Sequence, residues 1–453
     1  MNRICLLFLM ITLSLLCFPQ QRADSANYRT WPGNQEISQQ QFDMLDTTTV
    51  LRCEESPTGY YVTFRFNSPK AKRVRIYGEW LFSDPSDATM VTSTNAMPTK
   101  WKDGYILYTD GKWPTSEMTR NDHGVWSYTI PLPCGTYNYR FYVDGKEGAA
   151  VDDYTGAIMA WDPARRPLQA PYNDISELSE EDYLSSVYVP WDAIKQAHSA
   201  NRPEEAPRQS QNGKRFVVHL TNGSRQATDF AVYLPFGFDA SRKTPYPVLI
   251  LMHGGGGIES SWINNGAAHI FDNMIAEGRM LPTVVICSNG SDLKWNRPKI
   301  LNTVLHTILP YAEKNLNITK DPAQRAFAGL SMGGATTMYA YFHHTREFLY
   351  YLSMSAPLTE DVNPDYTSPL LKTRKLSFTM GQYDFVKRAE SLYTGKVEPN
   401  FRGEIEKSIY CYIYGLKKAG IPFKTETELP YGHTWQLWRK NLVDWIDHFL
   451  WKQ

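Results

Sequence analysis

Residues 325–342 constrain this chain more than any other stretch. Arg325-Ala-Phe-Ala reads as a short buried strand, and Gly329-Leu330-Ser331-Met332-Gly333 follows it directly. Next comes Gly334-Ala-Thr-Thr-Met-Tyr-Ala-Tyr-Phe, small near the turn and then helical. In a G-x-S-x-G turn the serine sits between strand and helix, and glycines on either side relieve the crowding. The hydroxyl is pushed out above the sheet, and the N–H of the next residue faces the same point. The pentapeptide also fits an ordinary glycine turn, so features elsewhere in the chain have to decide its role.

Three such features exist. Tyr246-Pro-Val-Leu-Ile-Leu-Met reads as a core strand running into His253-Gly254-Gly255-Gly256-Gly257. Glycines at the end of a buried strand let backbone N–H groups converge without side-chain obstruction, as an oxyanion hole requires. Gly254, Gly255 and Met332 are the expected donors, with His253 orienting the loop rather than taking protons. His433, in Tyr431-Gly-His-Thr-Trp435, follows a strand over 422–429 and precedes a helix over 435–451. Of the ten histidines it alone has the loop placement of a general base. Asp384 follows the strand over 375–380, where a buried carboxylate would hold the imidazole tautomer. The bland alternative is a solvated turn aspartate.

The order Ser331, Asp384, His433 is that of the α/β hydrolases, and the expected fold is a mostly parallel sheet with helices on both faces. From about Arg215 onward the chain resembles the esterase D-like α/β hydrolases, and within them family one of the carbohydrate esterases. The resemblance rests on Val232-Tyr-Leu-Pro, Leu249-Ile-Leu-Met-His-Gly-Gly-Gly-Gly, Asp272-Asn-Met-Ile-Ala-Glu-Gly, Gly329-Leu-Ser-Met-Gly-Gly, and Gly432-His-Thr-Trp with Trp438-Arg439. It implies a serine esterase removing feruloyl, other cinnamoyl or acetyl groups from plant polysaccharides such as xylan. It also implies Ser331 as nucleophile, His433 as base and Asp384 as acid, with no metal or organic cofactor. Trp262 and Trp435 are candidates for substrate contact, with the loops over 289–295 and 361–371.

Lys plus Arg (47) equals Asp plus Glu (47), so no charge imbalance draws the chain to nucleic acid or an anionic membrane. At 453 residues, two or three domains are expected. Met1-Asn-Arg3 and the apolar run over 4–16 read as an export signal, too short to span a bilayer, with cleavage near Ser25. A lipid anchor on Cys17 is less favoured, because Leu16 stands where a lipobox wants a small residue. The expected location is periplasmic or extracellular. Cys53 and Cys134 are candidates to pair, while Cys287 reads as a packed free thiol.

Residues 26–160 read as a separate module. Tyr60–Phe66, Arg73–Tyr77, Val125–Ile130 and Thr136–Val143 alternate with period two, as in a small β-sandwich. Through Arg73-Val-Arg-Ile-Tyr-Gly-Glu-Trp, Gly124-Val-Trp and Tyr137-Asn-Tyr-Arg-Phe-Tyr-Val-Asp-Gly it resembles the immunoglobulin-like module that precedes many such esterases and glycogen-branching enzymes. Trp80, Trp101 and Trp113 are either a sugar-stacking face or core, and 81–118 is a long insertion. Residues 161–214 read as a connector with a structured patch over 183–197, ahead of an esterase domain over 215–453. Competing with the polysaccharide esterase are a siderophore-type trilactone esterase and a non-catalytic sugar-binding protein. The complete serine, aspartate and histidine set disfavours the last. Monomer or homodimer is left open.

Overall fold

Alternating side chains build the first unit of the molecule. Its strands are β1 (Thr49–Arg52), β2 (Tyr60–Asn67), β3 (Val74–Gly78), β4 (Phe82–Ser83), β5 (Ile106–Leu107) and β6 (Thr115–Glu117). They continue with β7 (Thr119–Arg120), β8 (Val125–Pro131), β9 (Gly135–Asp144), β10 (Ala157–Ala160) and β11 (Ser185–Val189). One antiparallel sheet has the order β1-β2-β8-β7, and a second has β10-β9-β3-β6 with β11 also on β9. Val62 and Phe64 of β2, Val74 and Ile76 of β3, and Tyr139 and Phe141 of β9 share one apolar core. The coordinates form a computed structural model that describes residues 47–84, 97–107, 113–169, 178–220, 228–357, 359–384 and 412–452. The predicted leader, Cys5, Cys17 and Cys411, and the middle of the 81–118 insertion lie outside the described residues.

Two readings left open for this unit are decided by the structure. Trp80 and Trp101 are buried in the core, and only Trp113 keeps partial exposure, stacked on Tyr77. Filling the space between two sheets outweighs presenting indole rings to solvent. Cys53 is disulfide-bonded, but not to Cys134, which is a buried free thiol. Cys287 is a buried free thiol, as expected for a strand interior.

The connector is more integrated than its composition implies. β11 adds antiparallel to β9, from Ser185 opposite Tyr139 to Val189 opposite Gly135, with Val187 and Val189 turned into the core. A turn over Pro203–Glu205 then docks on the helix Ala267–Ala276, where Asn273 Nδ2 donates to the carbonyls of Glu204 and Ala206, each at 2.8 Å.

The second unit is one eight-stranded sheet: β12 (Lys214–Leu220), β13 (Thr228–Leu234), β14 (Val248–Met252), β15 (Val284–Ser288), β16 (Arg325–Leu330), β17 (Tyr350–Met354), β18 (Lys375–Tyr383) and β19 (Lys424–Gly432). Their order is β12-β13-β15-β14-β16-β17-β18-β19, with β12 and β13 antiparallel to their neighbours and the rest parallel. Both faces are covered, which explains the continuous apolar runs. Val248, Ile250 and Met252 enter one core, and Leu249 and Leu251 enter the other. This is an α/β hydrolase-type fold. Because its central strands are parallel, their C-terminal ends share one edge, where ligands of such sheets bind. The loops after β14, β16, β18 and β19 all open there, bringing the glycine run, Ser331, Asp384 and His433 to one end of the sheet.

Candidate active site

Ser331 begins the helix Met332–His343 at φ 50° and ψ −117°, a conformation that a residue with a Cβ rarely adopts. Its neighbours hold it there: Ser331 N–H donates to the Met354 carbonyl at 2.8 Å, and its own carbonyl accepts from Ala335 N–H at 3.0 Å. The flanking glycines are steric necessities. A Cβ at Gly329 would lie 2.5 Å from the Gly333 carbonyl, and one at Gly333 would lie 2.3 Å from the His253 carbonyl. Met332, first in the helix, carries an amide that has no acceptor within the helix.

The glycine loop is set by His253. This ring is buried, and burial, only partly opposed by hydrogen bonds to Gly254 and Asn289, pushes its pKa down to about 4. It is therefore neutral near pH 7. Its Nδ1–H donates to the Gly254 carbonyl at 2.7 Å, while Nε2 accepts from Gly290 N–H at 3.1 Å. Gly257 N–H reaches the same Gly254 carbonyl at 3.2 Å. In a trans peptide the C=O and N–H point in opposite directions, so anchoring this carbonyl turns Gly255 N–H the other way. Gly254 itself lies against the elbow, since a Cβ there would be 2.9 Å from Ser331 Cβ and 3.5 Å from its Oγ.

At the far side of the sheet end, Asp384 Oδ1 and His433 Nδ1 are 2.7 Å apart. The carboxylate is buried, and its Oδ2 accepts from Gly381 N–H at 3.1 Å, so both oxygens have donors. Trp438 meets the His433 ring edge-on at 4.8 Å, and its Nε1–H donates to Ser355 Oγ at 3.0 Å. Sequence reading missed the part played by Trp438; its place in the first turn of the helix that follows His433 was the available signal. It also missed Ser355, which sits at φ 49° at the end of β17 and has no sequence signature.

Two specificity candidates fall elsewhere. Trp262 is fully buried, its Nε1–H donates to the Met252 carbonyl at 2.8 Å, and its ring packs on Trp435 at 5.1 Å. It has no surface to offer a substrate and instead supports the strand end that carries the glycine loop. Trp435 keeps partial exposure between Trp262 and Trp438. The 361–371 segment packs on the far end of the elbow helix, where His343 Nε2 bonds the Val362 carbonyl and Tyr366 meets Phe342. A helix of that length puts those contacts roughly 15 Å or more from Ser331. In the 289–295 loop, Asn289 is buried on Glu259 and Trp295 meets His253 edge-on at 5.2 Å.

Comparison with known proteins adds to this geometry. A family described as "Putative esterase" matches residues 222–381, which include the glycine loop and Ser331 and stop short of Asp384 and His433. The chain is 33% identical over 132 residues to an endo-1,4-beta-xylanase/feruloyl esterase of Xylanibacter ruminicola, covering 26% of this chain and 18% of the relative. It is 26% identical over 153 residues to endo-1,4-beta-xylanase Y of Acetivibrio thermocellus, covering 31% of this chain and 14% of the relative. The chain thus spans under a fifth of either relative's length. Among solved structures, a ferulic acid esterase from Anaeromyces mucronatus is 15% identical, with a TM-score of 0.45 over 55% of this chain and 96% of that one. The enterobactin esterase of Shigella flexneri is 14% identical, with a TM-score of 0.48 over 91% of this chain and 98% of that one. By fold, elbow and family match, the C-terminal half of the chain is a carboxylic ester hydrolase.

Proposed function

We propose that the protein is an exported serine esterase that removes feruloyl or acetyl groups from plant cell-wall polysaccharide such as xylan. The observation that carries the reading is the 2.7 Å pairing of His433 Nδ1 with buried Asp384, at the same sheet end as the strained elbow serine. With Nδ1 donating to the carboxylate, Nε2 is the nitrogen that takes a proton. His433 accepts the Ser331 proton as Oγ attacks the ester carbonyl, and the oxyanion is held by Met332 N–H and by amides of Gly254 or Gly255. Collapse expels the sugar alcohol, which takes the proton from His433. Water, deprotonated by the same histidine, then releases the acid and restores Ser331. The polysaccharide substrate is supported by the name of the Xylanibacter ruminicola relative. An export leader over residues 1–25, and a sugar-binding immunoglobulin-like module ahead of the esterase domain, belong to the same proposal.

The test compares rates on methyl ferulate, acetylated xylan and a catecholate trilactone, for the native chain and for Ser331→Ala. Ferulate or acetate release that disappears in the variant, with its melting curve unchanged, is expected. Full activity in Ser331→Ala refutes the nucleophile, whereas a preference for the trilactone moves the substrate to a siderophore. N-terminal sequencing of the secreted protein tests the leader.

A further inference from the structure

His433 follows the terminal strand in the sheet order. β19 is the last strand in the sheet order and, among the described residues, pairs only with β18; its register with β18 shifts between Thr379 and Gly381 and again between Gly381 and Tyr383, the residue opposite Gly432. Sheet pairing alone therefore locates the following loop loosely. Beyond Asp384 and Trp438, a further set of restraints comes from outside the hydrolase unit. Leu107 N–H, on β5 of the N-terminal unit, donates to Gln436 Oε1 at 2.9 Å. Arg202 of the connector donates to the Gln436 carbonyl at 3.3 Å and to Tyr431 Oη at 3.4 Å. One turn further along the last helix, Trp435–His448, Arg439 donates to the Thr136 carbonyl of β9 at 2.7 Å and to the Asn265 carbonyl at 3.2 Å.

These anchors form one buried cluster. Glu205 Oε1 accepts from Arg202 at 3.3 Å, and Oε2 accepts from Thr136 N–H at 2.9 Å. Oε2 also lies 3.0 Å from Arg439 Nε, an ion pair rather than a directed hydrogen bond. Arg202, Glu205 and Arg439 are all buried, so each charge depends on the others and on the backbone groups that the N-terminal unit presents. Residues on both sides of His433, at 431, 436 and 439, are thus held by β5, β9 and the connector.

We propose that Gln436 and Arg439, through Leu107, Thr136, Arg202 and Glu205, are positioning residues for His433, making the N-terminal unit part of the catalytic apparatus rather than a tethered accessory. This rests on the triad reading above. Its physical content is that a displacement of about 1 Å at a catalytic group costs about 100-fold in rate. An accessory module that only captured polysaccharide would leave turnover of a small soluble ester untouched.

The test uses the full-length protein with Gln436→Leu, Arg439→Met and Arg439→Lys, assayed on p-nitrophenyl acetate. Melting curves and the downfield His433 Nδ1–H proton resonance are recorded alongside. Gln436 is partly exposed, so its replacement removes one anchor without opening the core. The expected result is a kcat loss of about 10- to 100-fold with KM unchanged, a displaced or broadened Nδ1–H resonance in protein that still melts cooperatively, and partial rescue by lysine at 439. Gln436→Leu with kcat within twofold of native overturns the inference. So does a loss that tracks only the unfolded fraction while the resonance keeps its place. Ser331→Ala separates the two readings: if it stays active the triad has failed, and if it is inactive while Gln436→Leu is native-like, only the positioning role has failed.

Discussion

Alanine at Gly254 would put a methyl group 2.7 Å from Leu330 Cδ1 and 2.9 Å from Ser331 Cβ, both closer than carbon atoms approach in folded proteins. Leu330 is buried and has little room to retreat, and Ser331 is already held at φ 50° by its backbone bonds. The strain therefore passes to Ser331 or to the glycine loop. Overpacking of this kind costs about 1–3 kcal/mol. A misplaced oxyanion donor costs about 100- to 1,000-fold in kcat. Two neighbours calibrate the effect. A Cβ at Gly255 meets only Met332 Cγ, at an ordinary 3.6 Å, and alanine keeps the N–H, so turnover there is expected within a few-fold of native. Gly256 has open space but φ +80°, so alanine there costs about 1–2 kcal/mol of backbone strain and little catalysis. Measuring kcat on p-nitrophenyl acetate with thermal unfolding for the three variants separates the cases. Native kcat in Gly254→Ala, or an equal collapse at all three positions, refutes the assignment of this loop to the oxyanion.

Asp384→Asn keeps the shape of the site but permits the wrong tautomer of His433, and a kcat loss of about 10⁴-fold is expected in steady-state ester hydrolysis, with an unchanged melting curve. Trp262→Phe removes the donor to the Met252 carbonyl and is expected to cost about 1–3 kcal/mol by chemical denaturation while leaving KM for methyl ferulate unchanged. A large rise in KM would instead restore Trp262 as a substrate contact. Burial pushes the Glu79 carboxyl up to about 7 from 4.5, against the opposing pull of Arg439 and the Asn138 hydrogen bonds. The folded chain then binds the extra proton between those values, so this contribution to stability is complete below pH 4.5 and is lost as pH rises through 7. Glu79→Gln keeps the neutral form throughout. Its stability relative to native is expected to grow between pH 5 and pH 8, by up to about 3 kcal/mol, and a constant difference in urea melts at the two pH values contradicts the assignment.

Much of the frame was legible in the residues alone, and the physical reason is that it is local. The elbow is written in Gly329 and Gly333 because strand, turn and helix crowd within five residues. The core strands are legible because burial on both faces leaves a continuous apolar run, as in Val248–Met252. The chain order of Ser331, Asp384 and His433 located the loops because parallel strands must all end at the same side of a sheet. His253 was legible as a loop support from its place beside four glycines.

What tertiary structure decided was which side chains meet across long separations. Trp262, Trp80 and Trp101 looked as available as Trp435 and Trp113, since an indole carries the same apolar area whether it fills a core or faces a ligand. The 361–371 segment lies after the serine in sequence yet packs at the opposite end of its helix. Cys134 shares a module with Cys53 and remains a thiol. The cluster of Arg202, Glu205 and Arg439 is built from three exposed-looking charges in two stretches more than 230 residues apart. No periodicity announces it, because a buried ion pair is defined by the partner that folding brings alongside.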